Sequence, residues 1–207
     1  INFTVGTGPA DLEAGNLNGD AYPDVVVANK TSNTVSVLLG SPTGYLTTAL
    51  NYSTGAGTGP GSITVLDIQL NGRDVVVTGN QTSGNLSQMF GNGLGALGNA
   101  VALTATGGVG AVWSDDINGD PAPDLVYTNP TGATMSRRIN TSGSFATAGT
   151  TAVGTTPDGI VTQDFNRDGF VDALVANSGS NNVSLLLNNG SGTFGTATNF
   201  TVGTTPD

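Results

Sequence analysis

The stretch QDFNRDGFVD, residues 163–172, places three carboxylates and an amide in one glycine-containing loop of a chain with no histidine and no cysteine. It is one of four related loops. NLNGDAYPD starts at Asn16, DIQLNGRD at Asp67, DINGDPAPD at Asp116 and DFNRDGFVD at Asp164, at intervals of 51, 49 and 48 residues. Self-similarity at such a period marks a repeat architecture, in which each unit buries its apolar face only against its neighbours.

The residues around each loop follow one order. An apolar lead such as GSITVLD enters it, and a run rich in β-branched residues leaves it: PDVVVAN, DVVVTGN, PDLVYTN or VDALVAN. A Ser/Thr/Asn turn, a second apolar run (TVSVLLG, NLSQMFG, TMSRRIN, NVSLLLN), a Gly-rich turn and an alternating Thr/Ala/Val/Phe segment complete the unit. Short β-branched runs bounded by Gly, Asn, Pro and Ser read as strands, and no segment holds a helical period. The expected fold is all-β, a β-propeller of four blades of about 50 residues with four antiparallel strands each. A two-sheet sandwich gives no reason for loops that recur in register. The chain reads as one propeller segment over 1–207, with repeats at 7–56, 57–106, 107–154 and 155–203 and a further repeat starting at 204–207. NFTVGTGP from Asn2 resembles NFTVGTTP from Asn199, so outer strands are expected near Phe3, Tyr52, Leu103, Ala152 and Phe200. Five outer strands for four blades imply an array that continues into a larger ring, or neighbouring molecules that complete the sheet.

The loop chemistry points to a hard cation. Oxygens at positions 1, 3, 5 and 9, with a backbone carbonyl at position 7, suit the 6–8 oxygen ligands of Ca²⁺. Without a cation, carboxylates this close repel one another and their pKa values rise. In the fourth repeat the ligands are expected to be Asp164, Asn166, Asp168 and Asp172 with the carbonyl of Phe170. In the third they are Asp116, Asn118, Asp120 and Asp124 with the carbonyl of Ala122, and in the first Asn16, Asn18, Asp20 and Asp24 with that of Tyr22. Asn16 replaces an acid, which predicts weaker binding in the first loop. The second repeat is one residue short and sets Arg73 beside Asp74; a guanidinium in place of the ion makes that blade metal-free, so about three Ca²⁺ sites are expected. Eleven of the 15 acids fall in the four loops, so the acidity is local. An EF-hand needs a Glu at position 12, where this chain has Val175 and Tyr127.

The pattern D-x-N-x-D-G-x-x-D, followed by a strand and LLNNGSGTFG, resembles the FG-GAP and VCBS-type repeats of integrin-like β-propellers. The resemblance implies a propeller of about seven blades in a secreted or cell-surface protein, with Ca²⁺ between the first two strands of some blades. The FG-GAP tetrapeptide itself is degenerate in LLGSPTG and QMFGNGLG.

A net charge of −10 with five basic residues argues against nucleic acid, and no apolar run approaches the length of a membrane span. Without His or Cys, and with most acids taken as ligands, no catalytic set is expected; Asp11, Glu13, Asp158 and Asp207 remain, of which Asp11 and Asp158 read as turn residues. GLGALG at Gly93, Gly95 and Gly98 reads as a hairpin turn. Trp113, on the first strand of the third repeat, reads as a core residue, with the lining of a ligand pocket as the alternative. The expected function is a calcium-stabilised extracellular or cell-surface module for protein interaction, adhesion or surface assembly. A carbohydrate-binding lectin propeller, or a non-catalytic propeller domain of a larger secreted lyase or hydrolase, is the alternative.

Overall fold

The computed structural model describes residues 1–206, so Asp207 lies outside the described residues. The first repeat forms β1 (Pro9–Gly15), β2 (Asp24–Asn29), β3 (Thr34–Leu38) and β4 (Leu50–Ser53), and the second forms β5 (Pro60–Leu66), β6 (Val75–Asn80), β7 (Asn85–Phe90) and β8 (Val101–Leu103). In the third are β9 (Val112–Asp115), β10 (Asp124–Asn129), β11 (Thr134–Arg138), a two-residue hairpin of β12 (Asn140–Thr141) and β13 (Ser144–Phe145), and β14 (Gly149–Ala152). The fourth has β15 (Pro157–Gln163), β16 (Asp172–Asn177), β17 (Asn182–Leu186) and β18 (Thr198–Thr201). Four antiparallel four-stranded sheets result, ordered β1-β2-β3-β4, β5-β6-β7-β8, β9-β10-β11-β14 and β15-β16-β17-β18. Each is a blade of a propeller-like all-β fold, and no helix occurs among the described residues.

The chain divides into two compact units, Ile1–Thr104 and Ala105 onward, each containing two blades. The β-branched runs supply the middle strands, because Val and Ile pack well on a pleated surface buried on both faces. In the first unit Leu17, Val26, Val35 and Val37 of blade one pack against Ile63, Val76 and Met89 of blade two. In the second, Ile117, Val126 and Met135 pack against Ile160, Ala173, Val175 and Leu186. At the end of each second strand a buried Asn spans to the third strand: Asn29, Asn80, Asn129 and Asn177 donate from Nδ2 to the hydroxyls of Ser36, Ser87, Ser136 and Ser184 at 2.7–2.8 Å.

Three expectations need correction. Phe3 lies in no strand, although its counterparts Tyr52, Leu103, Ala152 and Phe200 all do. Asp11 and Asp158 are strand residues of β1 and β15, not turn residues. Asp11 Oδ2 accepts the amide of Ile63 at 3.0 Å and Glu13 Oε2 that of Val65 at 3.1 Å, so two acids of β1 cap donors of β5 that its own sheet leaves unpaired. Unpaired strand donors are a liability that proteins cover. Trp113, at 40% exposure on the first strand of blade three, is not in the core.

Candidate functional site

Each loop between the first and second strand of a blade is built as a ladder of Asx turns, in which a side-chain oxygen accepts an amide two or three residues ahead. In the fourth repeat Asp164 Oδ1 accepts from Arg167 at 2.6 Å, Asn166 Oδ1 from Asp168 at 2.9 Å and Asp168 Oδ1 from Phe170 at 2.9 Å. In the third, Asp116 Oδ1 accepts from Gly119 at 2.8 Å, Asn118 Oδ1 from Asp120 at 2.9 Å and Asp120 Oδ1 from Ala122 at 2.8 Å. In the first, Asn16 Oδ1 accepts from Gly19 at 2.8 Å, Asn18 Oδ1 from Asp20 at 3.0 Å and Asp20 Oδ1 from Tyr22 at 2.7 Å. The ladder thus gathers the side chains of positions 1, 3 and 5 on one loop. The position-4 residue is left-handed in all three, at φ 74° for Gly19, 82° for Gly119 and 64° for Arg167. Of these three only the fourth carries a side chain there, as the second loop does at Leu70 with φ 52°, and an L-residue in this region is strained.

The position-9 aspartates are placed differently. Asp24, Asp124 and Asp172 each open the second strand of their blade and are fully buried. One oxygen of each accepts the position-2 amide: Leu17 at 2.8 Å, Ile117 at 3.3 Å and Phe165 at 3.1 Å. The other accepts an amide just beyond the third strand: Gly40 at 2.8 Å, Asn140 at 2.7 Å and Asn188 at 2.9 Å. These acids therefore tie the loop to the turn after the third strand, a role that the ligand spacing does not announce. Burial pushes the Asp124 carboxyl up to about 6, helped by the charges of Asp120 and Asp116 and opposed by the amides of Asn140 and Ile117.

Among the described residues, no three acidic side chains converge closely enough to enclose an ion as they stand. The Nδ2 groups of Asn18, Asn118 and Asn166 donate to Oδ2 of Asp20, Asp120 and Asp168 at 2.8, 2.9 and 2.7 Å, so each position-5 carboxylate faces an amide dipole. In donor type the set fits a hard cation. Each carboxylate oxygen of Asp20, Asp120 and Asp168 accepts a single hydrogen bond and keeps a second lone pair, and a turn of the Asn amide presents its oxygen in place of its nitrogen.

The second loop departs from the others, and for a reason other than the expected one. Leu66 pairs with Val75, as Gly15 pairs with Asp24, so an apolar residue takes the closing slot. The backbone carbonyl of Asp74 accepts the amide of Gly91 at 3.0 Å, where the other blades use a carboxylate. Asp74 Oδ2 accepts the amide of Asn16 in blade one at 2.8 Å, and burial raises its pKa. Arg73 does not fill the loop; its side chain lies along Gly93, beyond the third strand.

The chain matches the FG-GAP-like repeat over residues 16–78, 116–175 and 164–207, and it belongs to that family. No curated relative matches the sequence. Among solved structures it is similar to a functionally unknown protein from Desulfotomaculum acetoxidans, with 16% identity, a TM-score of 0.71, and coverage of 99% of this chain and 59% of that one. A putative 6-phosphogluconolactonase from Bacteroides uniformis is similar at 16% identity and TM-score 0.72, over 97% of this chain and 59% of that one. BBS1N, solved in complex with ARL6DN, is similar at 14% identity and TM-score 0.66, over 99% of this chain and 59% of that one. These likenesses show the fold alone, and the chain spans about three fifths of the structures it resembles.

Proposed function

We propose that this chain is a calcium-stabilised propeller module that works outside the cell or on its surface by binding another protein. The observation that carries the calcium reading is the shared ladder of Asp164, Asn166 and Asp168, of Asp116, Asn118 and Asp120, and of Asn16, Asn18 and Asp20. Three loops of one construction, rich in hard oxygens and short of cationic partners, fit Ca²⁺ better than an arbitrary acidic surface does. Asp172, Asp124 and Asp24, with the carbonyls of Phe170, Ala122 and Tyr22, would complete the sets. The ion would offset the repulsion among the acids and hold the loop rigid. The protein-binding reading draws support from BBS1N, a similar fold solved with a protein partner.

Ions that bind only the folded state stabilise it by RT ln(1 + [L]/Kd), about 2.7 kcal/mol per site at a hundredfold excess over Kd. Thermal unfolding in CaCl₂ and in EDTA tests this: a higher midpoint in Ca²⁺ is expected, and superimposable curves would refute the metal. Exposed Trp113 favours a second reading, in which the indole stacks on a sugar. A glycan array probed with and without Ca²⁺ decides between the two: silence supports a protein ligand, and a consistent sugar signal supports the lectin.

A further inference from the structure

Five asparagines of the chain are followed by glycine: Asn18, Asn71, Asn92, Asn118 and Asn189. Glycine has no side chain to shield its amide nitrogen, so that nitrogen can reach the Cγ of a preceding asparagine and attack it. All five glycines have a positive φ, between 73° and 82°, so backbone conformation does not distinguish them. Their amides do. The amide of Gly19 donates to Asn16 Oδ1 and that of Gly119 to Asp116 Oδ1, each at 2.8 Å. The amide of Gly72 donates to Asp67 Oδ2 at 2.6 Å and that of Gly190 to Asn188 Oδ1 at 3.2 Å. A nitrogen so engaged must give up its hydrogen bond before it can attack. Among the described residues the Gly93 amide is the one of the five without an acceptor.

The other reacting group is prepared as well. Asn92 Oδ1 accepts the amides of Leu94 at 2.8 Å and Ala96 at 3.1 Å. Two donors on one carbonyl oxygen draw electron density from Cγ and stand ready for the charge that the oxygen takes on in a tetrahedral intermediate. The Arg73 side chain lies along the glycine, its Nε 3.5 Å from where a Cβ on Gly93 would stand. A guanidinium there favours negative charge on the nitrogen as its proton leaves. Gly93 and Leu94 are exposed, so water reaches the turn. Asn189 has a similar cradle for its oxygen, from the amides of Ser191 and Thr193, but its glycine amide is engaged, which makes it the internal comparison.

We propose that Asn92 is a self-modification site, which converts through a cyclic imide to aspartate and isoaspartate without an enzyme. The Gly93 nitrogen gives its proton to hydroxide and bonds to Cγ of Asn92. The side-chain amide nitrogen leaves as ammonia, taking its last proton from water. Water then opens the imide at either carbonyl, leaving a carboxylate; nothing is oxidised or reduced, and water is the sole co-reactant. The turn is also a seat for blade one: the Gly95 amide donates to the Leu17 carbonyl at 2.9 Å, and a Cβ on Gly95 would lie 2.7 Å from Leu39. Isoaspartate lengthens the backbone just ahead of this contact, and either product adds a negative charge beside Arg73.

Incubation of the 207-residue chain at neutral and mildly alkaline pH, with peptide mapping by mass spectrometry and enzymatic methylation of isoaspartate as readouts, tests the proposal; the urea-unfolded chain is run alongside. In the folded chain conversion at Asn92 is expected to be about tenfold or more faster than at Asn18, Asn71, Asn118 or Asn189, and to quicken with hydroxide concentration. In urea the five rates are expected to converge. Arg73→Gln, at an exposed position, is expected to slow Asn92 severalfold in the folded chain and to leave Asn18, Asn118 and Asn189 as they are. Conversion at Asn92 no faster than at the other four overturns the proposal, as does the same ranking in urea, which would place the preference in the local sequence and not in the fold. An Asn92 rate unchanged in Arg73→Gln overturns the part given to the guanidinium.

Discussion

Asp172→Ala removes a fully buried carboxylate that holds two amides, Phe165 at 3.1 Å and Asn188 at 2.9 Å. Hydrogen bonds to a charged group contribute about 1.5–3 kcal/mol each, and a buried donor left without an acceptor costs about 1–3 kcal/mol. Relief of repulsion from Asp164 and Asp168 offsets part of this, leaving a loss of about 3 kcal/mol. The loss is expected in EDTA as well as in Ca²⁺, because the amides need the carboxylate whether or not an ion is bound. Asp168→Ala is the control. Its carboxylate is exposed and accepts from an exposed loop amide, so in EDTA it is expected within about 0.5 kcal/mol of wild type. In Ca²⁺ it forfeits the metal increment of about 2.7 kcal/mol. Urea unfolding of both variants in both conditions gives the four differences. If Asp172→Ala matches wild type in EDTA, or Asp168→Ala loses as much there as Asp172→Ala does, the account of Asp172 as a tie that also serves the ion, and of Asp168 as a ligand alone, is wrong.

Asn16→Asp restores the missing charge of the first loop and is expected to tighten Ca²⁺ there about tenfold, or 1.4 kcal/mol, by calorimetric titration; an unchanged affinity would show that Asn16 does not face the ion. Arg167→Gly replaces a left-handed arginine at φ 64° with the residue the first and third loops use, and is expected to raise stability by about 0.5–1 kcal/mol after the entropy cost of glycine. A destabilised variant would mean that the Arg167 side chain makes a contact worth more than the strain. Burial raises the Glu13 pKa, with Asp11 and Asp74 adding to the shift and the Thr64 hydroxyl and Val65 amide opposing it. A raised folded-state pKa means that the group favours folding when protonated, and that this contribution fades as pH climbs from about 4.3 through the folded pKa. Glu13→Gln is therefore expected to gain on wild type between acid and neutral pH in EDTA melting curves; a difference that does not vary with pH would oppose this.

The blades were legible because their signals are local. DVVVAN, VVVTGN, DLVYTN and DALVAN each form a second strand, and the Asp and Asn spacing of the loops reappears as the Asx-turn ladder. What stayed hidden depends on partners distant in sequence. Asp11 and Glu13 look like spare acids until β5 brings Ile63 and Val65 within reach, 52 residues away. The double duty of Asp24, Asp124 and Asp172 needs an amide 16 residues further on, beyond the third strand. In the second repeat one missing residue shifts Val75 into the closing slot and frees Asp74 to reach Asn16. The shortened loop with Arg73 beside Asp74 suggested instead an arginine standing in for an ion. Trp113 read as core because large apolar residues usually are, yet on its first strand it is 40% exposed.

Calcium stoichiometry of the intact chain tests the central claim most directly. After EDTA treatment and dialysis, calorimetric titration is expected to show three bound Ca²⁺ per chain, the loop at Asn16 the weakest, with Asp74→Ala leaving the count unchanged and Asp120→Ala reducing it to two. No binding at all, or four equivalent sites in the wild type, would contradict the account.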